Sequence, residues 1–184
     1  MQKNLLIMSE MPQYFINLAD KNFNTHKLWL QNDEDKFISE IQEKVDAIAV
    51  MGGYKITPEL MKSMTNLKII ACYGVGYDAI DIAYAKSLGI KVTNTPEVLN
   101  DEVADTAIAL MLCVYRKILE ADKFARNNSW VNGEFPLTKK FSGSKLGIVG
   151  MGRIGKAIAK RAEAFNCTIS YHSRNKKNVE YQFY

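Results

Sequence analysis

Three glycines in the run Gly150-Met151-Gly152-Arg153-Ile154-Gly155 have the spacing of a turn that cradles a diphosphate. The first allows a tight turn, the second lets the backbone approach the phosphates, and the third lets the following helix pack closely on the preceding strand. The helix start adds unpaired N–H groups and the positive end of its dipole. Such a motif alone is weak evidence, but its surroundings fit. Residues 146–149 read as a strand, 156–165 as a helix with apolar Ala157, Ile158, Ala159, Ala162 and Phe165, and 167–171 as a second strand. The plain alternative is a glycine-rich turn with no ligand. A nucleotide-hydrolysing phosphate loop is the other rival, because Lys156 follows Gly155. That motif needs Ser or Thr next to hold magnesium, and Ala157 stands there, so the rival is rejected.

The end of the second strand reports which dinucleotide is bound. An acid there would accept hydrogen bonds from the adenosine ribose, as NAD requires. This sequence instead reads Tyr171-His172-Ser173-Arg174-Asn175-Lys176-Lys177, with Arg174 about 20 residues beyond Gly155, where the acid would be. A guanidinium can bind a phosphate bidentately and a hydroxyl can donate to it, so Ser173 and Arg174 point to the 2′-phosphate of NADP, with NAD less favoured. A solvated basic loop is the bland alternative.

These groups need elements to hold them. Strand-like apolar runs lie at 5–8, 27–30, 47–51, 67–72 and 91–93. Helical stretches fall between them: 36–44; a start at Thr57-Pro58-Glu59, with a capping hydroxyl and Pro at the first helical position; and 79–88, which Asp78 can cap. Repeated strand–helix–strand order implies a parallel sheet with helices on both faces. A long helix over 101–126 follows, with Asn100 as its cap. Its part 103–115 is apolar on nearly all sides and is therefore expected to be buried, between two domains or against a second subunit. Residues 127–144 read as loop.

Composition excludes several classes. The 184 residues are 47% hydrophobic and 24% charged, ordinary for a globular chain. A net charge of +4 is too small to argue for nucleic acid, and no apolar run is long enough to span a bilayer. Cys72, Cys113 and Cys167 each sit in apolar runs at no metal-site spacing. Free thiols, no metal and a cytoplasmic setting are expected.

With these residues in view, the chain resembles the D-isomer-specific 2-hydroxyacid dehydrogenases, and within them the hydroxypyruvate/glyoxylate reductases. Three segments carry the resemblance: Tyr73-Gly-Val-Gly-Tyr-Asp-Ala-Ile-Asp81; Asn94-Thr-Pro-Glu-Val-Leu-Asn-Asp-Glu-Val-Ala-Asp105; and the glycine motif with its strand, from Leu146 to Gly155. The resemblance implies an α/β protein: a flavodoxin-like parallel-sheet substrate domain over 1–99, then an incomplete Rossmann nucleotide-binding domain over 100–184. It implies that Gly74, Val75 and Gly76 hold a 2-oxo-acid carboxylate through backbone N–H groups, as an anion nest can; a simple turn is the alternative. Gly52 is a second candidate for the substrate wall. Thr106 matches the residue that reaches the nicotinamide side, although a hydroxyl bonded back within its helix would look the same. Family members pair through the region matching 101–126, which implies a homodimer.

The family catalyses with an Arg, an acid and a His from segments absent here. His26 and His172 are the two histidines, and neither is placed as a proton donor. The expectation is an N-terminal portion without reductase activity, with bare strand edges, exposed apolar surface and a tendency to associate. The alternating residues 179–183 are a candidate cover for one edge. A non-catalytic dinucleotide-binding or interaction module of the same fold is the second hypothesis. A methyltransferase is disfavoured by the missing acid.

Overall fold

The computed structural model describes residues 2–184, in two compact units that meet between Pro96 and Glu97. The first unit holds β1 (Asn4–Ile7), α1 (Gln13–Asn22), β2 (Asn24–Lys27), α2 (Glu34–Ile41), β3 (Ala47–Met51), α3 (Pro58–Ser63), β4 (Ile69–Tyr73), α4 (Ile82–Ser87) and β5 (Lys91–Thr93). Its five strands are all parallel, in the order β2-β1-β3-β4-β5.

Period-two alternation sends Leu6, Met8, Ile48, Val50, Ile70 and Cys72 to one face, where Ile41, Val45, Met61 and Ala85 cover them. Leu5, Ile7 and Ala49 face the other way, onto Ile16 and Ala19 of α1. Burial on both faces requires the apolar runs read in the sequence.

Three local expectations shift. The second strand lies at Asn24–Lys27, and residues 28–30 wind into a single 3-10 turn that buries Leu28. As an edge strand it needs no apolar run; Asn24 Nδ2 donates to Asn4 Oδ1 at 2.7 Å. Helix α4 starts three residues later than expected, capped by Asp81 rather than Asp78: Tyr84 N–H donates to Asp81 Oδ1 at 2.9 Å. A β-bridge between Ile56 and Ile80 keeps the preceding residues extended. Helix α1, after Pro12, was not anticipated; only Ile16 and Ala19 mark its buried face. The cap at Thr57 forms, with Leu60 N–H donating to its Oγ1 at 3.2 Å.

The second unit holds α5 (Asn100–Arg116), α6 (Ile118–Arg126), β6 (Lys145–Val149), α7 (Arg153–Glu163), β7 (Thr168–His172) and β8 (Gln182–Phe183). The expected single helix over 101–126 is two, because Lys117 takes a left-handed conformation at φ 48°. Asn100 is its first helical residue and not its cap; Leu99 holds that place without a side-chain bond. The helix is also less buried than its composition suggested. Ala104 and Ile108 are buried, whereas Leu110 and Val114 are 61% and 76% exposed.

The sheet β6-β7-β8 is parallel. Register pairs Leu146 with Ile169 and Ile148 with Tyr171, so these four share one face, packed with Met151, Ala159, Ala162 and Ile108. The opposite face carries Gly147, Thr168, Ser170 and His172, so the bare apolar sheet surface expected there comes down to Val149, 89% exposed. The tail does cover one edge: β8 pairs with Ser170 and Tyr171 of β7. Arg161 ties α7 to α5, donating to Asp101 at 3.0 Å and to Asp105. Among the described residues, no helix is long and apolar enough to cross a membrane.

Candidate phosphate and carboxylate turns

Each unit ends a strand in a glycine turn. In the second unit the turn leaves β6 at Gly150, whose φ of +98° is a conformation L side chains rarely adopt. Its N–H donates to His172 C=O at 2.8 Å, which sets the end of β7 beside the turn. Gly152 caps α7 with no side-chain bond. The first intrahelical bond runs from Lys156 N–H to Gly152 C=O at 3.0 Å, so the amides of Arg153, Ile154 and Gly155 have no partner within the helix. A Cβ at Gly150 or Gly152 would meet open space, whereas one at Gly155 would lie 2.2 Å from Gly150 C=O. The three glycines thus do different things: one bends, one leaves an approach open, and one permits contact between helix and strand. This geometry fits a diphosphate.

Arg153 reaches sideways to Glu97 at 2.9 Å, a pairing that sequence spacing did not signal. Ser173 Oγ donates to Asn175 C=O at 2.8 Å, and Arg174 is exposed. Thr106 spends its hydroxyl on Glu102 C=O at 2.8 Å, one turn back in its own helix. Around it lies an open apolar groove of Leu99, Val103, Ala107 and Leu110.

The first unit's turn follows β4. Gly74 C=O accepts Thr95 N–H at 2.9 Å, Val75 C=O accepts Asn94 Nδ2 at 2.9 Å, and Gly76 C=O accepts Cys72 Sγ at 3.4 Å. Burial pushes the Cys72 thiol up from its ordinary pKa, which keeps it protonated and able to donate. Gly74 N–H is occupied by Cys72 C=O at 3.1 Å, so it is not one of the free donors the resemblance implied. With the carbonyls drawn inward, the amides of Val75 and Gly76 have no acceptor among the described residues. Gly52 closes this turn from the side: its N–H donates to Tyr73 C=O at 3.1 Å, and a Cβ on Gly74 would lie 3.0 Å from Gly52 Cα. Asn94 and Cys72 are the supporting residues that motif reading missed. Nearby, Tyr73 and Tyr14 share a hydrogen bond between their hydroxyls.

Neither histidine lies free in a turn. His26 Nε2 is 3.1 Å from Asn4 Oδ1, and burial lowers its pKa, aided by Lys44. His172 Nδ1 is 2.6 Å from Tyr184 C=O, with its ring stacked on Phe183.

A five-stranded parallel sheet followed by a strand–Gly-x-Gly-x-x-Gly–helix unit defines an α/β protein of the dinucleotide-binding class. Residues 5–180 match the D-isomer specific 2-hydroxyacid dehydrogenase, catalytic domain, and the chain belongs to that family. It is 42% identical to hydroxyphenylpyruvate reductase of Plectranthus scutellarioides and 41% identical to glyoxylate/hydroxypyruvate reductase A of Arabidopsis thaliana, over 98% of its own length in each case. It spans 58% of the length of each of these relatives. Among solved structures it is similar to the NADPH-dependent glyoxylate/hydroxypyruvate reductase of Sinorhizobium meliloti in complex with NADP and malonate. That TM-score is 0.84 at 35% identity, covering 100% of this chain and 57% of that one. The fold is therefore a flavodoxin-like domain followed by Rossmann-type structure, and the family is one of oxidoreductases acting on 2-hydroxy and 2-oxo acids.

Proposed function

We propose that this chain supplies the carboxylate nest and the cofactor-phosphate site of an NADPH-preferring reductase that converts small 2-oxo acids, glyoxylate or hydroxypyruvate, to D-2-hydroxy acids. The observation that carries the cofactor preference is Arg174 just past the end of β7, exposed and with no acid among residues 172–178. When bound, NADPH supplies the hydride. The α7 amides, that of Arg153 among them, would hold the diphosphate, Ser173 and Arg174 would meet the 2′-phosphate, and Thr106 would lie toward the nicotinamide side. The amides of Val75 and Gly76 orient the substrate carboxylate, with Gly52 as the adjoining wall.

Neither histidine is placed to give the carbonyl oxygen its proton, since both are held by other contacts. The 184 residues alone bind without turning over. Two chains pair through the bare side of α5 and α6, where Leu110, Val114 and Leu119 lie exposed. The domain boundary of this reading is at 99/100.

The test is a titration with NADPH and NADH. Replacing a charge-assisted contact, Arg174→Asp weakens NADPH binding about 10- to 100-fold and leaves NADH nearly unchanged. Equal affinity for the two cofactors, untouched by the substitution, overturns the NADPH reading. Oxidation of NADPH with glyoxylate by this chain alone overturns the second statement.

A further inference from the structure

The loop after β7 carries Arg174, Lys176 and Lys177, and none of the three forms an ion pair with any described residue. Unpaired cations on a short loop repel one another and favour many loop conformations. Something else must fix where Arg174 sits.

That fixed point is Tyr171, the last buried residue of β7 and only 1% exposed. Its hydroxyl accepts Lys177 N–H at 2.8 Å and donates to Lys177 C=O at 3.1 Å. A buried phenol needs a polar partner, and here both of its hydrogen-bonding capacities go to one residue across the loop. The ring cannot swing, because it packs against Phe183 at 5.3 Å, its partner across the β7–β8 pairing. The loop is therefore stapled at its base to the sheet, and Ser173 Oγ shapes its tip through Asn175 C=O.

We infer that Tyr171 is a positioning residue for cofactor choice: by clamping Lys177 it pre-organises Arg174 and its neighbouring cations for the phosphate on the adenosine ribose. This rests on the NADPH reading above. A pre-organised loop loses less conformational freedom when the phosphate arrives. Tyr171 itself touches no cofactor, so its effect should be confined to ligands that carry the 2′-phosphate.

Tyr171→Phe tests this, since it keeps the ring and its packing and deletes both bonds. The 184-residue chain and its Tyr171→Phe and Arg174→Ala variants are titrated with NADPH, NADH and adenosine 2′,5′-bisphosphate. Amide hydrogen exchange at Lys177 is followed without ligand. The expected result for Tyr171→Phe is an about fivefold loss of affinity for the two 2′-phosphorylated ligands, NADH binding as in the unsubstituted chain, and faster exchange at Lys177. If Arg174→Ala shifts the NADPH-to-NADH ratio while Tyr171→Phe leaves it alone, Tyr171 has no such role and the NADPH reading stands. If Tyr171→Phe weakens all ligands equally, Tyr171 is merely structural and the inference is overturned. If Arg174→Ala leaves the ratio unchanged, the NADPH reading falls and takes this inference with it.

Discussion

The two glycine turns look alike in sequence and differ in how the next helix begins. After Gly76 the chain runs on to Ile82, and the Asp81 carboxylate caps α4, so that helix end is already supplied with an anion. After Gly150 the chain enters α7 directly, and Gly152 at the N-cap has no side chain to bond the helix amides. One turn is closed and leaves two amides of its own; the other leaves a helix end open. The difference matches the roles proposed for them: a small nest suffices for a single planar carboxylate, whereas a bare helix terminus suits a diphosphate.

Four substitutions would break or sharpen this contrast, taken from the largest effect down. Gly155→Ala drives a methyl into Gly150 C=O. It should cost about 3 kcal/mol, the upper end of overpacking, and abolish NADPH binding, read by denaturation and titration. Gly152→Asp makes the open turn resemble the closed one. The added carboxylate caps α7 and gains a few tenths of a kcal/mol, while NADPH binding falls roughly tenfold or more by repulsion of the phosphates. A variant that binds NADPH as well as before would show that the free helix end is not the phosphate site.

Asp81→Ala removes the cap from α4 and should lower the stability of the first unit by about 1 kcal/mol with no change in NADPH binding, measured by thermal unfolding beside a titration. Lowered NADPH affinity would argue against separate roles for the two turns. The smallest effect is a pH dependence confined to the first unit. Asp46 accepts Asn4 N–H at 2.9 Å and Lys3 Nζ at 2.9 Å, and these bonds hold its carboxyl below its ordinary pKa. The stabilisation is complete above the unfolded carboxyl's range and fades as the pH falls below it. Asp46→Asn should flatten that acid limb of the unfolding curve. An unchanged limb would remove Asp46 from the account.

Much of this was legible in the residues. Apolar runs marked β1, β3 and β4, and the Thr57-Pro58 pair marked the start of α3. The glycine spacing marked the turn before α7. What stayed hidden has a common physical basis. An edge strand such as β2 buries little and carries no apolar pattern. The break at Lys117 is a backbone choice in a residue of good helix propensity, and nothing in its side chain announces it. Asn94, Cys72 and Tyr171 act through side-chain bonds to the backbone of irregular loops, 19, four and six residues away, and such bonds depend on how the loop folds back, which spacing rules do not see.

The contact between Gly52 and Gly74 bears on any attempt to reshape the turn proposed to hold the carboxylate. Two loops from neighbouring strands touch there with no side chain between them. A side chain on Gly74 would press into the Gly52 backbone and wedge the loops apart, whereas a methyl on Gly52 would meet Gly74 Cα and Gly76 C=O at 3.5 Å, an ordinary contact, so the two sites tolerate change unequally. Gly53 has empty space around it, so an insertion beside it could reshape the cavity wall while leaving the touching backbones intact.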